Sequence, residues 1–386
     1  MTTRPRVLIS GPGGAGGGVV MVIDHIFASA LAQRFELVRF ISNDPRYHRH
    51  SPPARVANTL LSRALGFDGS FNLSARGLVA AWCKALECRP DLVHVHSSHG
   101  WDFWIAIRMI RAAQRRGAVA IHHVHGNFDV YYPRWSSVRR AAFRRVLQVP
   151  DRFVVLSRSW ESWFSRHLDP ARIEVLYNCV DVHRFPPRVD APPRDEVRLL
   201  FVGTRDPDIK GAYDLLAVAP AVVRQAPNVR FVFVGKDTGR LEERFVRGTP
   251  LERHVEFKGF RTVGEIVADF EAADVLLLPS HMEAMPMALL EGMAAGLPVL
   301  ASGISSIPEI VEEPAGGVLI RPGDREALER GILALVADGA WRRRAGAANR
   351  RLAEERFDRP RFADELARIY EDTLRLRGRA PSSERS

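Results

Sequence analysis

Cysteine is nearly absent from this chain of 386 residues: Cys83, Cys88 and Cys179 are the whole supply. An odd number without zinc-type spacing excludes a disulfide framework and a thiolate metal centre. Lysine is also rare for a basic protein, since only Lys84, Lys210, Lys236 and Lys258 stand among 55 basic residues. No apolar run is long enough to span a bilayer, and Asp24 and His25 interrupt the stretch nearest the start. MTTRPRVLIS leads directly into a strand-like run, so no signal peptide is expected and the expected compartment is the cytoplasm. There is no internal repeat, and no RNA-recognition or helix-turn-helix signature, so nucleic acid is not an expected partner.

What is present is an ordinary globular composition, 46% hydrophobic and 26% charged, with an uneven charge distribution. Residues 1–190 carry 26 Lys+Arg against 14 Asp+Glu, a net +12, whereas residues 191–386 carry 29 against 31, a net −2. A basic first half suits an anionic lipid surface or an acidic glycan. The preponderance of arginine is equally what a biased codon composition would give. Trp101, Phe103, Trp104, Tyr131, Tyr132 and Trp135 alternate with Arg134, Arg139, Arg140, Arg144 and Arg145, the mixture expected at a membrane interface.

Short β-rich runs alternate with amphipathic stretches, the pattern of parallel sheets with crossover helices. Strands are expected at 6–10, 36–41, 92–96, 118–124, 152–156 and 173–176, then at 198–202, 229–234, 255–257, 275–278, 299–302 and 317–320. Between the two series PPRVDAPPRDEV is too rich in proline for either element. The expected organisation is a first domain at 1–185, a linker at 186–197, a second domain at 198–355, a packing helix at 356–377 that crosses back to the first domain, and a mobile tail at 378–386.

Four segments could carry chemistry. In LLLPSHMEAMPMALLEG, a strand runs into a loop holding Glu283 and then into a helix opened by Pro286, with Glu291 in its second turn. Two carboxylates near a helix N-terminus suit an oxygen-rich ligand, although taken alone they equally fit a capping and a surface carboxylate. In FVGTRDPDIKG, Arg205 and Lys210 follow a strand and could face one pyrophosphate, or be solvated loop charges. SGPGGAGGG supplies a turn in which Gly16, Gly17 and Gly18 let the backbone approach a ligand. It resembles a dinucleotide fingerprint but lacks the acidic residue that should close the second strand. HVHSSH and HHVH place histidines at alternate strand positions without a complementary carboxylate or cysteine, so no metal is expected and most of them are read as polar residues at strand ends. His125, beside Gly126 and Asn127, ends a strand where ligands of open α/β sheets collect.

With these pieces stand DLVHVHSSHG, FVVLSRS, IEVLYNCVDVHRF, FVFVGKDTGR, VEFKGF, SSIPEIV and GGVLIRPGD, in that order. Together they make the chain resemble, over nearly its whole length, a retaining glycosyltransferase of family 4 with the GT-B fold. The resemblance implies two Rossmann-like doubly wound domains facing a central cleft, with the acceptor on the first and a UDP or GDP sugar on the second. It implies that Glu291 accepts from the ribose hydroxyls, and that Glu283 with the backbone of Ala284, Met285, Pro286 and Met287, where every residue but the proline offers an N–H, meets the donor sugar. Arg205 and Lys210 would stabilise the departing diphosphate without a metal, Gly16 to Gly18 would approach the phosphate, and Gly16, His125 and Asn127 would line the acceptor side. Asn178-Cys179 and Ala284-Met285 depart from the family pattern and bear on donor selectivity. The implied partners are a nucleotide sugar and a glycan or lipid-linked acceptor of surface polysaccharide assembly, at the inner face of the membrane. The alternatives are a nicotinamide-dependent oxidoreductase and a non-catalytic basic lipid- or glycan-binding protein.

Overall fold

The computed structural model describes residues 4–14, 17–44, 75–186, 195–203, 206–236 and 238–377. The chain folds as two compact units, Met1–Asn178 with Pro360–Ser386, and Cys179–Arg359. The proline-rich run expected as a linker lies mostly outside the described residues, as do Gly16, Arg205 and the tail.

The first unit holds a six-stranded sheet of β1 (Arg6–Gly11), β2 (Glu36–Ile41), β3 (Leu92–Ser97), β4 (Val119–Val124), β5 (Arg152–Val155) and β6 (Ile173–Val175). All pairings are parallel and the order is β2-β1-β3-β4-β5-β6. β3 and β4 are buried along their whole length, as strands covered on both faces must be. Beside them Trp82 is fully buried, its indole N–H donating to Met109 O at 2.8 Å and its ring meeting Phe40 edge-on at 5.1 Å. The helix Arg359–Arg377 contributes Phe362, Leu366, Ile369 and Tyr370, each almost fully buried, at the spacing of one helical face. Tyr370 meets Phe35 edge-on at 5.3 Å.

The second unit repeats the architecture with β7 (Val197–Val202), β8 (Val229–Val234), β9 (Val255–Phe257), β10 (Val275–Leu278), β11 (Val299–Ser302) and β12 (Gly317–Ile320). Its order, β12-β11-β10-β7-β8-β9, is again wholly parallel. The chain winds outward in one direction from β7 and in the other from β10, so the strand order reverses between these two neighbours. Loops that leave the carboxyl ends of such a pair diverge and open a crevice, where ligands of open α/β sheets bind.

One expectation is corrected by burial. Phe103 and Trp135 are buried, and Trp104, Tyr131 and Tyr132 are partly so, within a cluster that includes His99, Phe128, Phe143 and Trp163, while Trp101 is partly buried against the core that holds Trp82 and Met109. The Arg139 guanidinium lies 4.1 Å over Trp135 and that of Arg140 lies 5.6 Å over Tyr132. The aromatic rings therefore build a core and seat arginines, and do not form a membrane-facing belt. Among the described residues no helix is long and apolar enough to cross a membrane.

Candidate active site

The loops that diverge from β7 and β10 set a part-buried ion pair, Lys210 with Glu283. After β7 the backbone turns at Gly203, whose φ of 130° only glycine adopts readily, and enters the short helix Pro207–Lys210. The stem of Lys210 folds back across this turn, its Cγ 3.4 Å from where a Cβ on Gly203 would stand. Lys210 Nζ donates to Glu283 Oε1 at 2.8 Å across the loop that follows β10. The carboxylate is 5% exposed and the lysine 31%, so the carboxylate is buried and the cation alone reaches outward. Ser280 Oγ donates to the same oxygen at 2.9 Å, which leaves Glu283 Oε2 without a protein partner among the described residues. Two cross-links hold the loop: His281 N donates to Ile209 O at 2.8 Å, and Ala284 O accepts from Ser305 Oγ at 3.0 Å and Ser306 Oγ at 2.8 Å.

Gly211 fixes the spacing of the two loops. Its φ is 79°, and an added Cβ would sit 2.1 Å from Pro279 O, a backbone atom that cannot swing away. Gly211→Ala is therefore expected to destabilise the full chain by about 2–4 kcal/mol, from positive φ and backbone overlap together. Urea unfolding of the two proteins reads this directly; equal midpoints would mean the loops can separate freely.

Pro286, expected as the first helical residue, is instead the N-cap, with ψ of 123°, and the helix runs Met287–Ala294. Met285 and Met287 are buried beneath the loop. Glu291 lies one turn into the helix and is partly buried. Desolvation pushes its carboxyl from an ordinary 4.5 up to about 7, opposed by the positive field of Arg184. A carboxyl in that state is poised to be ionised by any ligand that donates hydrogen bonds to it.

In the first unit the glycine turn is tied to the end of β2: Gly13 N donates to Asn43 Oδ1 at 2.8 Å, and Asn43 Nδ2 returns a bond to Gly13 O at 3.0 Å. Gly17, with φ of 108°, caps the helix Gly18–Phe27. A cavity of about 530 Å³ opens near the ends of β1 and β3, lined among others by Ser10, Asn43, His96, Ser97 and His99. His125 follows β4 and is partly exposed, and Asn127 caps the helix Phe128–Tyr131 without a side-chain bond. Gly126 sits so close to His99 that a Cβ would fall 2.1 Å from its backbone nitrogen.

The remaining histidines are not polar strand-end residues. His94, His96, His122 and His123 are all buried, and parallel pairing sets His96 opposite His123. His94 Nδ1 lies 2.7 Å from the Tyr370 hydroxyl, His94 Nε2 lies 3.3 Å from His123 Nδ1, and His96 Nδ1 lies 2.9 Å from His125 Nε2. Burial lowers all five imidazoles, and mutual repulsion adds to it for all but His125; His94, His122 and His125 fall to about 3, so all five are neutral. One ring nitrogen each from His94, His96 and His123 lie within 4.8 Å of one another. That set has three neutral imidazoles and no carboxylate or thiolate to offset the cost of burying a dication.

Several residues went unread in the sequence. Asp214 accepts from Arg325 Nε at 2.7 Å and contacts His281 Nε2 at 2.6 Å, so three segments meet beside Glu283. Burial works to raise the Asp214 carboxyl, but hydrogen bonds from Arg325 and His281 outweigh it and the net shift is downward. Ser280 and Arg184 complete the surroundings of the two glutamates. Ser280 and His281, three and two residues before Glu283, stand in its own loop; Asp214, Arg325 and Arg184 come from distant segments.

Known proteins share this fold and family. Residues 16–184 match the family described as Glycosyltransferase Family 4, and residues 196–338 match Glycosyl transferases group 1. The chain is 31% identical over 369 residues to phosphatidyl-myo-inositol mannosyltransferase of Mycobacterium leprae, covering 93% of each sequence. It is 28% identical over 299 residues to glycogen synthase of Mycobacterium tuberculosis, covering 73% of this chain and 69% of that one. Sucrose-phosphate synthase from Thermosynechococcus elongatus superposes with a TM-score of 0.76 at 21% identity, over 97% of this chain and 100% of that chain. HepE of Anabaena, solved with UDP and glucose, superposes with a TM-score of 0.73 at 18% identity, over 96% and 100%.

Proposed function

The chain belongs to glycosyltransferase family 4, and from that premise we propose that it moves a hexosyl group from a UDP or GDP sugar to a hydroxyl of a glycan or lipid-linked acceptor, with retention of configuration. The observation that carries this reading is the Lys210–Glu283 pair at the divergence of β7 and β10. A departing diphosphate needs fixed positive charge where negative charge grows, and Lys210 is held in place before the reaction begins. Glu283 is assigned two tasks: Oε1 orients the lysine, while Oε2 accepts from a donor-sugar hydroxyl. Its engagement with lysine and serine argues against service as a covalent nucleophile of the glycosidase kind. Arg205 is assigned to the same diphosphate from its place in the sequence. Glu291 takes the ribose hydroxyls, and the first-turn amides of Met287–Ala294 add donors beside it.

In the first unit, His125 and Asn127 are assigned to substrate hydroxyls or phosphate, and Gly16 to Gly18 to close backbone approach. The cavity beside His96 sets polar Ser10, Asn43 and Ser97 against apolar Leu78, Ile105 and Met109, which suits an acceptor that carries both hydroxyls and an apolar part. Similarity to a mannosyltransferase named for phosphatidyl-myo-inositol, together with the arginine-rich surface of the first unit, favours an acceptor presented at an anionic membrane on the cytoplasmic side.

Thermal-shift measurements with UDP-, GDP- and ADP-sugars test the donor class. One nucleotide is expected to raise Tm by several degrees at 1 mM, about 2.7 kcal/mol if that concentration is a hundred times its Kd. The same donor should be hydrolysed slowly in EDTA. No stabilisation by any of them would overturn the reading.

A further inference from the structure

His94, His96, His123 and His125 fall into two hydrogen-bonded pieces whose polarity can be worked out by counting protons. Tyr370 has one hydrogen-bond partner among the described residues, His94 Nδ1, and burial holds its phenol protonated by raising it well above its usual range. If His94 donated to the phenol oxygen, the Tyr370 hydrogen would be left buried without an acceptor. His123 Nε2 would then also be an unmatched acceptor, giving two unmet groups. If Tyr370 donates, His94 Nε2 carries the proton and donates to His123 Nδ1. The one unmet group is then an N–H at His123 Nε2, which has no partner among the described residues. An unmatched buried polar group costs about 1–3 kcal/mol, so the second polarity wins. The second piece has the complementary opening, because His96 Nε2 is likewise buried and without a partner among the described residues. An acceptor there answers the N–H of His123. One ring nitrogen of each of His94, His96 and His123 lies within 4.8 Å of the others, and a water making two hydrogen bonds spans about 5.5 Å. An accepting His96 Nε2 requires the proton at His96 Nδ1, which then donates to His125 Nε2.

We propose that one water bridges His123 Nε2 to His96 Nε2, so that Tyr370, His94, His123, this water and His96 form a one-way hydrogen-bond relay that fixes His125 as the tautomer protonated at Nδ1 and presents a donor to substrate. His96 and Tyr370 act through His125 and are positioning residues. The relay rests on the proposed sugar transfer only in calling the recipient of that donor a glycosyl substrate. A metal on the same imidazoles is the competing arrangement.

Two-bond proton–nitrogen NMR spectra of the full chain labelled with 15N in histidine rings test the relay, with His125 assigned through His125→Gln. The expected wild-type signature is an Nδ1-protonated His125. Tyr370→Phe keeps the ring packed against Phe35 but removes the hydroxyl, and should yield a mixture of His125 tautomers. It should also lower kcat about fivefold at unchanged donor KM, whereas His96→Asn, whose amide can replace the Nδ1 donor, should retain more activity than His96→Leu. An Nε2-protonated His125 in the wild type, or an unaltered tautomer in Tyr370→Phe, overturns the relay. So does saturable binding of Zn²⁺ that shifts the His94, His96 and His123 resonances. If the tautomer is as stated yet His125→Gln transfers sugar at the wild-type rate, the relay stands and the assignment of His125 to transfer falls.

Discussion

Lys210→Ala is expected to lower kcat for sugar transfer by about 10²–10³, the effect of removing one preorganised charge or donor from a developing anion. Two consequences of the geometry separate this from a general loss of structure. The lysine is 31% exposed and its stem crosses a glycine turn, so truncation opens no core cavity. Its removal does leave Glu283, 5% exposed, with Ser280 as its remaining partner among the described residues. The second variant, Lys210→Ala with Glu283→Gln, should therefore recover part of any lost stability and none of the activity. Steady-state kinetics beside thermal unfolding read the two apart. Wild-type turnover by Lys210→Ala would remove the lysine from the mechanism.

A second large effect is expected at Glu291. Its carboxyl, pushed to about 7 by desolvation, is about one-tenth ionised at pH 6 and about nine-tenths at pH 8. Ribose hydroxyls donate to the ionised form, so UDP or GDP affinity should rise about tenfold over that interval. Glu291→Gln should lose this rise and bind about 10- to 100-fold more weakly at pH 8, the worth of a hydrogen bond to a charged acceptor. Calorimetric titrations of both proteins give the difference, and subtracting the variant's slope removes the titration of the diphosphate itself. Stability moves in the opposite direction. The folded pKa lies above the unfolded one, so the folded state binds more protons between about pH 4.5 and 7, and stability declines as pH rises through that window before levelling off. Glu291→Gln lacks the decline and should gain in Tm over the wild type at pH 8 but not at pH 4. A wild-type affinity flat from pH 6 to 8 would take Glu291 away from the ribose.

Each expected strand exists within a residue or two of its expected bounds, because buried parallel strands are short unbroken apolar runs closed by turn residues. Lys210 and Glu283 were each legible as residues beyond a strand's carboxyl end. That they bond to each other was not, since they are 73 residues apart. The Asp214, His281 and Arg325 contacts cross 67 and 111 residues and left no trace in local pattern. The histidines misled for a related reason. Read along one strand they look like exposed polar alternation, but β3 and β4 are both central, so His94, His96, His122 and His123 have one another, Ser97, His125 and Tyr370 as their polar company among the described residues. The aromatic stretch misled because spacing along short helices does not say which face turns to the core.

The sequence by itself determined two α/β units, their parallel strands and the loops on which charged residues stand, because periodicity and turn chemistry are local properties of the chain. Tertiary structure decided which strands are neighbours. A parallel strand joined by a long crossover can enter a sheet at several places, and local sequence does not distinguish them. Packing of the whole unit sets β10 beside β7 and β3 beside β4, and so brings Glu283 to Lys210 and His96 to His123.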